Sequence, residues 1–179
     1  MAGTAGSDTA PEGDRAVTRR AGRLCAVQAL YQILQADADP DAVLRDFLSG
    51  RQGRITLMDR AGSGGGETIV DMPDPDTELI VDLVRCAIAR ADDIRSIISQ
   101  SLSGGWSFER LEALVDCVLR AGIAELLCRT DIPAKVTVSE MVEVAKAFYD
   151  GPEPGMINAV LDRAARALGR LGDGALDHG

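Results

Sequence analysis

Apolar residues recur at intervals of three and four along most of this sequence, which is the spacing that places them on one face of an α-helix. Six stretches show this spacing, and their inward positions begin at Leu24, Val43, Leu79, Phe108, Met141 and Ile157. None of them alternates apolar and polar residues as a half-buried strand would. The pattern therefore predicts an all-α protein, a compact bundle of about six or seven helices.

Residue types that begin helices precede several of these stretches: candidate N-caps, prolines of a first turn, and a capping box. In chain order they are Thr18, Asp39 with Pro40, Ser107, Thr137 with Glu140, and Pro154. Residues 76–102 carry an unbroken apolar stripe, so we expect one long central helix there. Gly122 lies within the inward face of the next helix and predicts close contact with a neighbour. The predicted inward faces also include Tyr31, Leu34, Leu48 and Ile88.

Three segments lack this periodicity. Residues 1–16 are small and polar, so we expect a disordered extension before a domain that spans residues 17–170. Residues 51–75 contain GSGGGE and two prolines and are expected to form a long surface loop. The glycines do not end in the GK[ST] of a phosphate-binding loop, which favours a flexible linker. Residues 171–179 are predicted to be a flexible tail.

Composition narrows the possible functions. The chain is rich in alanine and leucine, and its 3% aromatic content favours helices over strands. No apolar run reaches the roughly 20 residues of a membrane span, and the first residues do not resemble a signal peptide, so we expect a cytoplasmic protein. The four cysteines are widely spaced, so we expect buried thiols, no disulfides and no zinc site. The one histidine, His178, lies in the predicted tail, which argues against much enzyme chemistry.

Positive charge is concentrated at the start of the first predicted helix. Arg15, Arg19, Arg20 and Arg23 fall within residues 15–35, a window without Asp or Glu, in a chain of net charge −9. The helix dipole disfavours cations at an N-terminus, whereas a phosphate would be attracted by both the free N–H groups and the arginines. The sequence alone leaves two main alternatives open: an RNA-binding cluster, or solvated arginines neutralised by acidic residues elsewhere in the fold. Membrane binding is a distant third alternative.

Two blocks of sequence closely resemble one protein family. They are RRAGRLCAVQALYQ (19–32) and LRAGIAELLCRTDIPAKVTVSEMVEVAKAFYDGPEPGMINAVLDRAAR (119–166). The arginine-rich opening, the D-[VI]-P-x-K-V turn with its following helix, and the final V-N-G-V-L-D helix are features of the NusB family of bacterial transcription antitermination factors. The chain is similar to that family over roughly residues 17–50 and 76–168.

The resemblance implies two small helical subdomains and no catalysed reaction or cofactor. It implies binding of the single-stranded boxA element of nascent RNA together with NusE, a ribosomal protein. That complex joins other Nus factors on RNA polymerase and promotes ribosomal RNA transcription. Homodimers are possible in this family, and a basic ribosomal partner would suit an acidic chain.

Carried over position by position, the resemblance assigns RNA contacts to Arg19, Arg20, Arg23, Lys135 and Lys146. Met156 stands where the family has an aromatic residue able to stack on a base, so it is a further RNA-contact candidate with weaker stacking. Tyr31 matches a tyrosine near the surface shared with NusE, although a core tyrosine with a wet hydroxyl is an alternative.

The main alternative function is a protein-only adaptor that docks NusE or another Nus factor with weak or no RNA binding. The charge of −9 and the loss of the aromatic residue at position 156 favour it. An enzyme, such as the RNA methyltransferases that carry a similar domain, is disfavoured because the sequence has no cofactor loop.

Overall fold

Every regular element in the structure is a helix, as the apolar spacing predicts. The structure is a computed structural model that describes residues 12–49 and 74–171, and no strand occurs within these ranges. The helices are α1 (Glu12–Ala36), α2 (Pro40–Leu48), α3 (Thr77–Ala89), α4 (Ala91–Ser101), a 3₁₀ turn (Phe108–Arg110), α5 (Ala113–Cys128), α6 (Ala134–Lys146) and α7 (Glu153–Ala167). The all-α prediction is confirmed.

Helix α5 lies at the centre of the bundle. It packs against α1 and α3 on one side, against α6 and α7 on the other, and also against α4. Gly122 permits the close approach of α7, because a Cβ there would lie 2.8 Å from Cδ2 of Leu161. The close helix contact predicted at Gly122 is therefore present.

Two helix starts differ from the prediction. Helix α1 begins at Glu12, so Thr18 lies inside the helix and its hydroxyl donates to the carbonyl oxygen of Arg15 at 3.1 Å. Helix α6 begins at Ala134, so the capping box predicted at Thr137 is wrong. The Thr137 hydroxyl instead donates to a carboxylate of α5, a distant partner that local spacing does not reveal.

The predicted central helix is two helices. The backbone leaves helical geometry at Arg90 (φ −113°, ψ 29°), and α4 begins at the next residue with Asp92 and Asp93 in its first turn. Acidic residues suit a helix N-terminus. The apolar stripe continues across the break and so conceals it. After Ser107 the chain forms only the short 3₁₀ turn, and α5 begins at Ala113.

The predicted start of α2 is confirmed. The Asp39 carboxylate accepts a hydrogen bond from the backbone N–H of Ala42 at 3.0 Å, and Pro40 is the first helical residue. Four positions predicted to face inward are exposed instead: Tyr31, Leu34, Leu48 and Ile88. Each lies at the edge of an apolar stripe that is wider than the buried face.

Two cysteines are joined in the structure, contrary to the prediction of no disulfides. Cys86 of α3 and Cys128 of α5 form a disulfide across 42 residues, with their Cα atoms 6.5 Å apart. Cys25 and Cys117 are free and buried. The wide sequence spacing concealed the pairing, because α3 and α5 pack side by side.

Arg170, which follows α7, holds the end of the fold together. Its guanidinium donates from Nη2 to the carbonyl oxygen of Ile132 at 2.8 Å and from Nη1 to that of Leu126. Of the segments predicted to be irregular, residues 12–16 are helical, whereas residues 1–11, 50–73 and 172–179, including His178, lie outside the described residues.

Candidate nucleic-acid interface

The arginines of α1 lie well inside the helix. Because α1 begins at Glu12, Arg19 and Arg20 are about two turns from its start. The helix dipole acts mainly within the first turn. Contrary to the prediction, the dipole therefore neither disfavours these cations nor favours a phosphate beside them, and their role depends on their partners.

Arg23 is buried and paired, which argues against the RNA contact predicted for it. Its side chain is 1% exposed, and it donates to both carboxylate oxygens of Glu125, from Nη2 at 2.8 Å and from Nε at 2.9 Å. Glu125 also accepts a hydrogen bond from the Thr137 hydroxyl at 2.7 Å. A buried charge is costly unless it is paired and hydrogen-bonded, and this carboxylate satisfies that condition. The cluster of Arg23, Glu125 and Thr137 ties α1, α5 and α6 together.

Arg20 makes a similar fork at the surface. Its Nε and Nη2 each donate to a carboxylate oxygen of Glu140 at 2.9 Å, and its side chain is 52% exposed. The hydrogen bonds from Arg20 lower the pKa of Glu140, which therefore stays ionised. Nη1 of Arg23 lies 3.8 Å from the same carboxylate. Glu140 is thus shared between the buried and the exposed arginine.

Arg19 is held more loosely. Its Nε lies 3.8 Å from a carboxylate oxygen of Asp76, beyond hydrogen-bonding distance, and this atom has no hydrogen-bond partner among the described residues. Asp76 is itself engaged as the N-cap of α3, since it accepts from the N–H of Leu79 at 3.0 Å. Its own N–H donates to the carbonyl oxygen of Thr18 at 3.0 Å. Nε of Arg19 is buried as well as unpartnered, so only the exposed part of this side chain, 26% of it, is open to an added ligand.

The two lysines of α6 differ in their partners. Lys146 donates to Glu143, one turn earlier, at 2.7 Å. Lys135 is exposed and has no hydrogen-bond or ion-pair partner within the described part of the chain. It borders a pocket of about 470 Å³ between α6 and α7, whose other lining residues include Ser139, Asn158, Asp162 and Arg166. Arg166 is engaged by Asp162 at 2.9 Å.

Met156 is only 9% exposed and packs in the core, which argues against the base contact predicted for it. Its neighbours Ile157, Val160 and Leu161 form the buried stripe of α7. Tyr31, in contrast, is 41% exposed, and Leu34, one turn later on α1, is exposed as well. The alternative that Tyr31 is a core residue is therefore wrong.

The arginines of α1 are paired with acidic residues that local sequence spacing does not reveal. Glu125 lies among the buried residues Gly122, Ile123 and Leu126 of α5. A carboxylate in such a position indicates that a cation is buried beside it. Glu140 also fits the pattern of a capping box with Thr137, and that local pattern does not indicate a distant partner such as Arg20. The structure supports neutralisation by acidic residues for Arg20 and Arg23.

A sequence profile described as the NusB family matches residues 20–166, which is most of the chain. The chain belongs to the NusB family. Transcription antitermination protein NusB of Rhodospirillum rubrum is 44% identical over 167 residues, covering 90% of each chain. The protein of the same name from Caulobacter vibrioides is 40% identical over 86% of this chain and 96% of its own. These matches identify this chain as a NusB-type antitermination factor and not an enzyme.

Solved structures share the fold. NusB of T. maritima superposes with a TM-score of 0.61 at 28% identity, over 83% of this chain and 90% of its own. The structure described as antitermination factors NusB and NusE in complex with dsRNA gives a TM-score of 0.62 at 21% identity, over 88% of this chain and 99% of the other. These similarities confirm the NusB-like helical architecture.

Two further observations bear on the type of site. No helix in residues 12–49 or 74–171 is long and apolar enough to cross a bilayer. The same residues contain no group of three or more His, Cys, Asp or Glu side chains arranged to hold a metal ion. Of the residues predicted to contact RNA, Arg20 on α1 and Lys135 and Lys146 on α6 are exposed.

Proposed function

We propose that this NusB-family protein binds boxA-type single-stranded RNA together with the ribosomal protein NusE and thereby promotes ribosomal RNA transcription. The observation that carries the proposal is the half-exposed guanidinium of Arg20, flanked by the loosely held Arg19. The fold shared with a complex of NusB, NusE and dsRNA supports it. In this proposal the complex then joins other Nus factors on RNA polymerase.

Arg20 is suited to exchange its carboxylate partner for a phosphate. Its fork already holds two oxygens of Glu140 at 2.9 Å, and a phosphate presents two oxygens in a similar way. An exposed ion pair contributes only about 0–1 kcal/mol, so replacing it costs little. Arg15, exposed one turn before Arg19, and Lys135 on α6 extend the positive surface.

The overall charge of −9 makes a partner necessary in this proposal. Long-range repulsion between the acidic chain and RNA offsets the few basic contacts. A basic ribosomal protein would reduce that repulsion and supply further phosphate contacts. The exposed pair Tyr31 and Leu34 gives α1 an apolar surface for such a partner.

The test measures binding of boxA RNA with and without NusE at several salt concentrations. The double variant Arg19→Ala/Arg20→Ala is expected to bind more weakly, and the log–log salt slope is expected to flatten by about 0.7 for each lost phosphate contact. Arg85→Ala/Arg90→Ala is the matched control, because it also removes two arginines that form exposed ion pairs, with Asp41 at 3.9 Å and Asp93 at 2.9 Å. Equal affinity and slope in the double variant and the control would rule out the α1 site.

A protein-only adaptor is the second candidate function. The observation that favours it is that Arg23 and Met156 are buried, while Arg20 and Lys146 are already paired with carboxylates. Calorimetric titration with NusE, in the presence and absence of boxA RNA, separates the two functions. If RNA leaves the NusE affinity unchanged and does not bind the complex, the adaptor function holds and RNA binding does not.

A further inference from the structure

The disulfide between Cys86 and Cys128 joins two helix ends of very different exposure. Cys86 lies in the last turn of α3 and is 7% exposed, whereas Cys128 is the last residue of α5 and is exposed. A dissolved thiol therefore approaches the bridge from the side of Cys128, because Cys86 is buried. The bridge has an outer and an inner sulfur.

A second connection between the same helices lies next to the bridge. Arg129 follows Cys128, and its Nη1 lies 3.0 Å from a carboxylate oxygen of Asp82, one turn before Cys86 on α3. Arg129 also donates to both carboxylate oxygens of Asp131 at 2.9 Å. When the disulfide opens, this ion-pair group still holds α3 against the end of α5. Opening is therefore compatible with the folded state.

The inner sulfur has a partner for its reduced form. The Sγ of Cys86 lies 3.5 Å from the carbonyl oxygen of Ala124, so a thiol at Cys86 can donate a hydrogen bond there. The local structure therefore offers a hydrogen-bond acceptor to the inner thiol and leaves the outer cysteine exposed to solvent.

We propose that Cys86 and Cys128 form a reversible redox site, at which a small thiol of the glutathione class exchanges with the disulfide through Cys128. The thiolate attacks the Cys128 sulfur, a new sulfur–sulfur bond forms, and the bond to Cys86 breaks. Cys86 leaves as a thiolate and takes a proton from water. A second small thiolate then attacks the sulfur of the small thiol that is bound to Cys128. This step releases Cys128 as a thiolate and forms a small-molecule disulfide. The small-molecule disulfide drives the reverse sequence.

The two other cysteines provide an internal comparison. Cys25 and Cys117 are buried, and burial raises the pKa of their thiols to about 11 and about 12. Thiols of this kind are rarely deprotonated near neutral pH and are shielded from solvent. They are expected to remain unmodified under native conditions while Cys128 reacts.

The decisive experiment uses the full-length wild-type chain. The oxidised protein is treated with limiting reduced glutathione, quenched in acid, digested and mapped by mass spectrometry. Glutathione is expected on the Cys128 peptide in at least about tenfold excess over the other three cysteine peptides. Modification of Cys86 at a comparable level overturns the proposal, as does the absence of a bridge after incubation with oxidised glutathione.

A matched pair of variants tests the role of the bridge in the folded protein. The melting temperature of the wild type is expected to be higher in oxidised than in reduced glutathione buffer. This difference should vanish in Cys86→Ala/Cys128→Ala and persist in Cys25→Ala/Cys117→Ala. A shift that persists in the first variant overturns the proposal. If either variant fails to fold, peptide mapping of the wild-type chain still decides the outcome.

Discussion

Arg20 and Arg23 lie one turn apart on α1, and each grips a carboxylate with two hydrogen bonds. They differ in their access to water: Arg23 is enclosed by three helices, whereas Arg20 is half exposed. Removing one partner of a buried pair leaves an uncompensated charge, but an exposed pair is replaced by water or a ligand at little cost. Solvent access, more than the contacts themselves, separates the structural arginine from the one available to RNA.

The sharpest test of this comparison is Glu125→Ala. The substitution leaves the buried charge of Arg23 without its carboxylate partner. We expect the free energy of unfolding, measured by urea denaturation, to fall by about 3–5 kcal/mol. The control is the triple variant Arg23→Met/Glu125→Leu/Thr137→Val, which removes all three polar groups and should recover most of the loss. If Glu125→Ala lowers the free energy of unfolding by less than about 1 kcal/mol, the Arg23 side chain must reach solvent in that variant.

The next largest effect concerns Gly22, between the two arginines, where α1 meets α3. A Cβ at this position would lie 2.9 Å from the backbone oxygen of Asp76. Gly22→Ala gains about 1 kcal/mol of helix propensity, but overpacking costs about 1–3 kcal/mol, so we expect a net destabilisation. Gly155→Ala in α7 is the control, because nothing lies within 4 Å of its added Cβ. That control should stabilise the protein, and thermal unfolding of both variants checks the opposite signs.

A smaller effect is expected at the exposed pair. Glu140→Gln removes the carboxylate that competes with phosphate for Arg20, so RNA affinity should rise about two- to fivefold, the equivalent of a surface ion pair of 0.5–1 kcal/mol. Arg20→Ala should lower the affinity. Fluorescence anisotropy with labelled boxA RNA measures both. If the two substitutions change affinity in the same direction, Glu140 is not a competitor for Arg20.

The smallest expected effect is a dependence of folding stability on pH. Hydrogen bonds from Arg20 lower the pKa of Glu140 from its ordinary 4.5, and those from Arg129 lower the pKa of Asp131 to about 2. The unfolded state then binds more protons, so the stabilisation from Glu140 is present above about pH 4.5 and is lost as the pH falls below that value. The stabilisation from Asp131 is present above about pH 3.8 and is lost as the pH falls towards 2. The melting temperature of Arg20→Ala should therefore approach that of the wild type as the pH decreases. A constant difference across this range would contradict the coupling.

The sequence predicts most of the fold because burial follows helical spacing. The Asp39 cap and the buried faces of α5 and α7 are as expected. The start of α1 was hidden because residues 12–17 carry no apolar repeat, and the break at Arg90 was hidden because the stripe continues through it. Propensity and periodicity both act locally, so they do not report such boundaries.

The candidate site was less predictable, because identical residue types acquire different roles from distant partners. Arg20 and Arg23 look equivalent in sequence, and only the positions of Glu140 and Glu125, more than 100 residues later, distinguish them. Met156 is a different case, since its place in the apolar stripe of α7 already indicated burial. The base contact predicted at Met156 comes only from the aromatic residue that the family has at this position.

Arg170 has a practical consequence for anyone who shortens this chain. The family profile ends at residue 166, and a fragment cut there would keep every helix except the last residue of α7. It would lose the guanidinium that occupies the carbonyl oxygens of Leu126 and Ile132, at the end of α5 and in the turn before α6. A stable fragment therefore needs to include Arg170, which lies beyond the residues that the family profile matches.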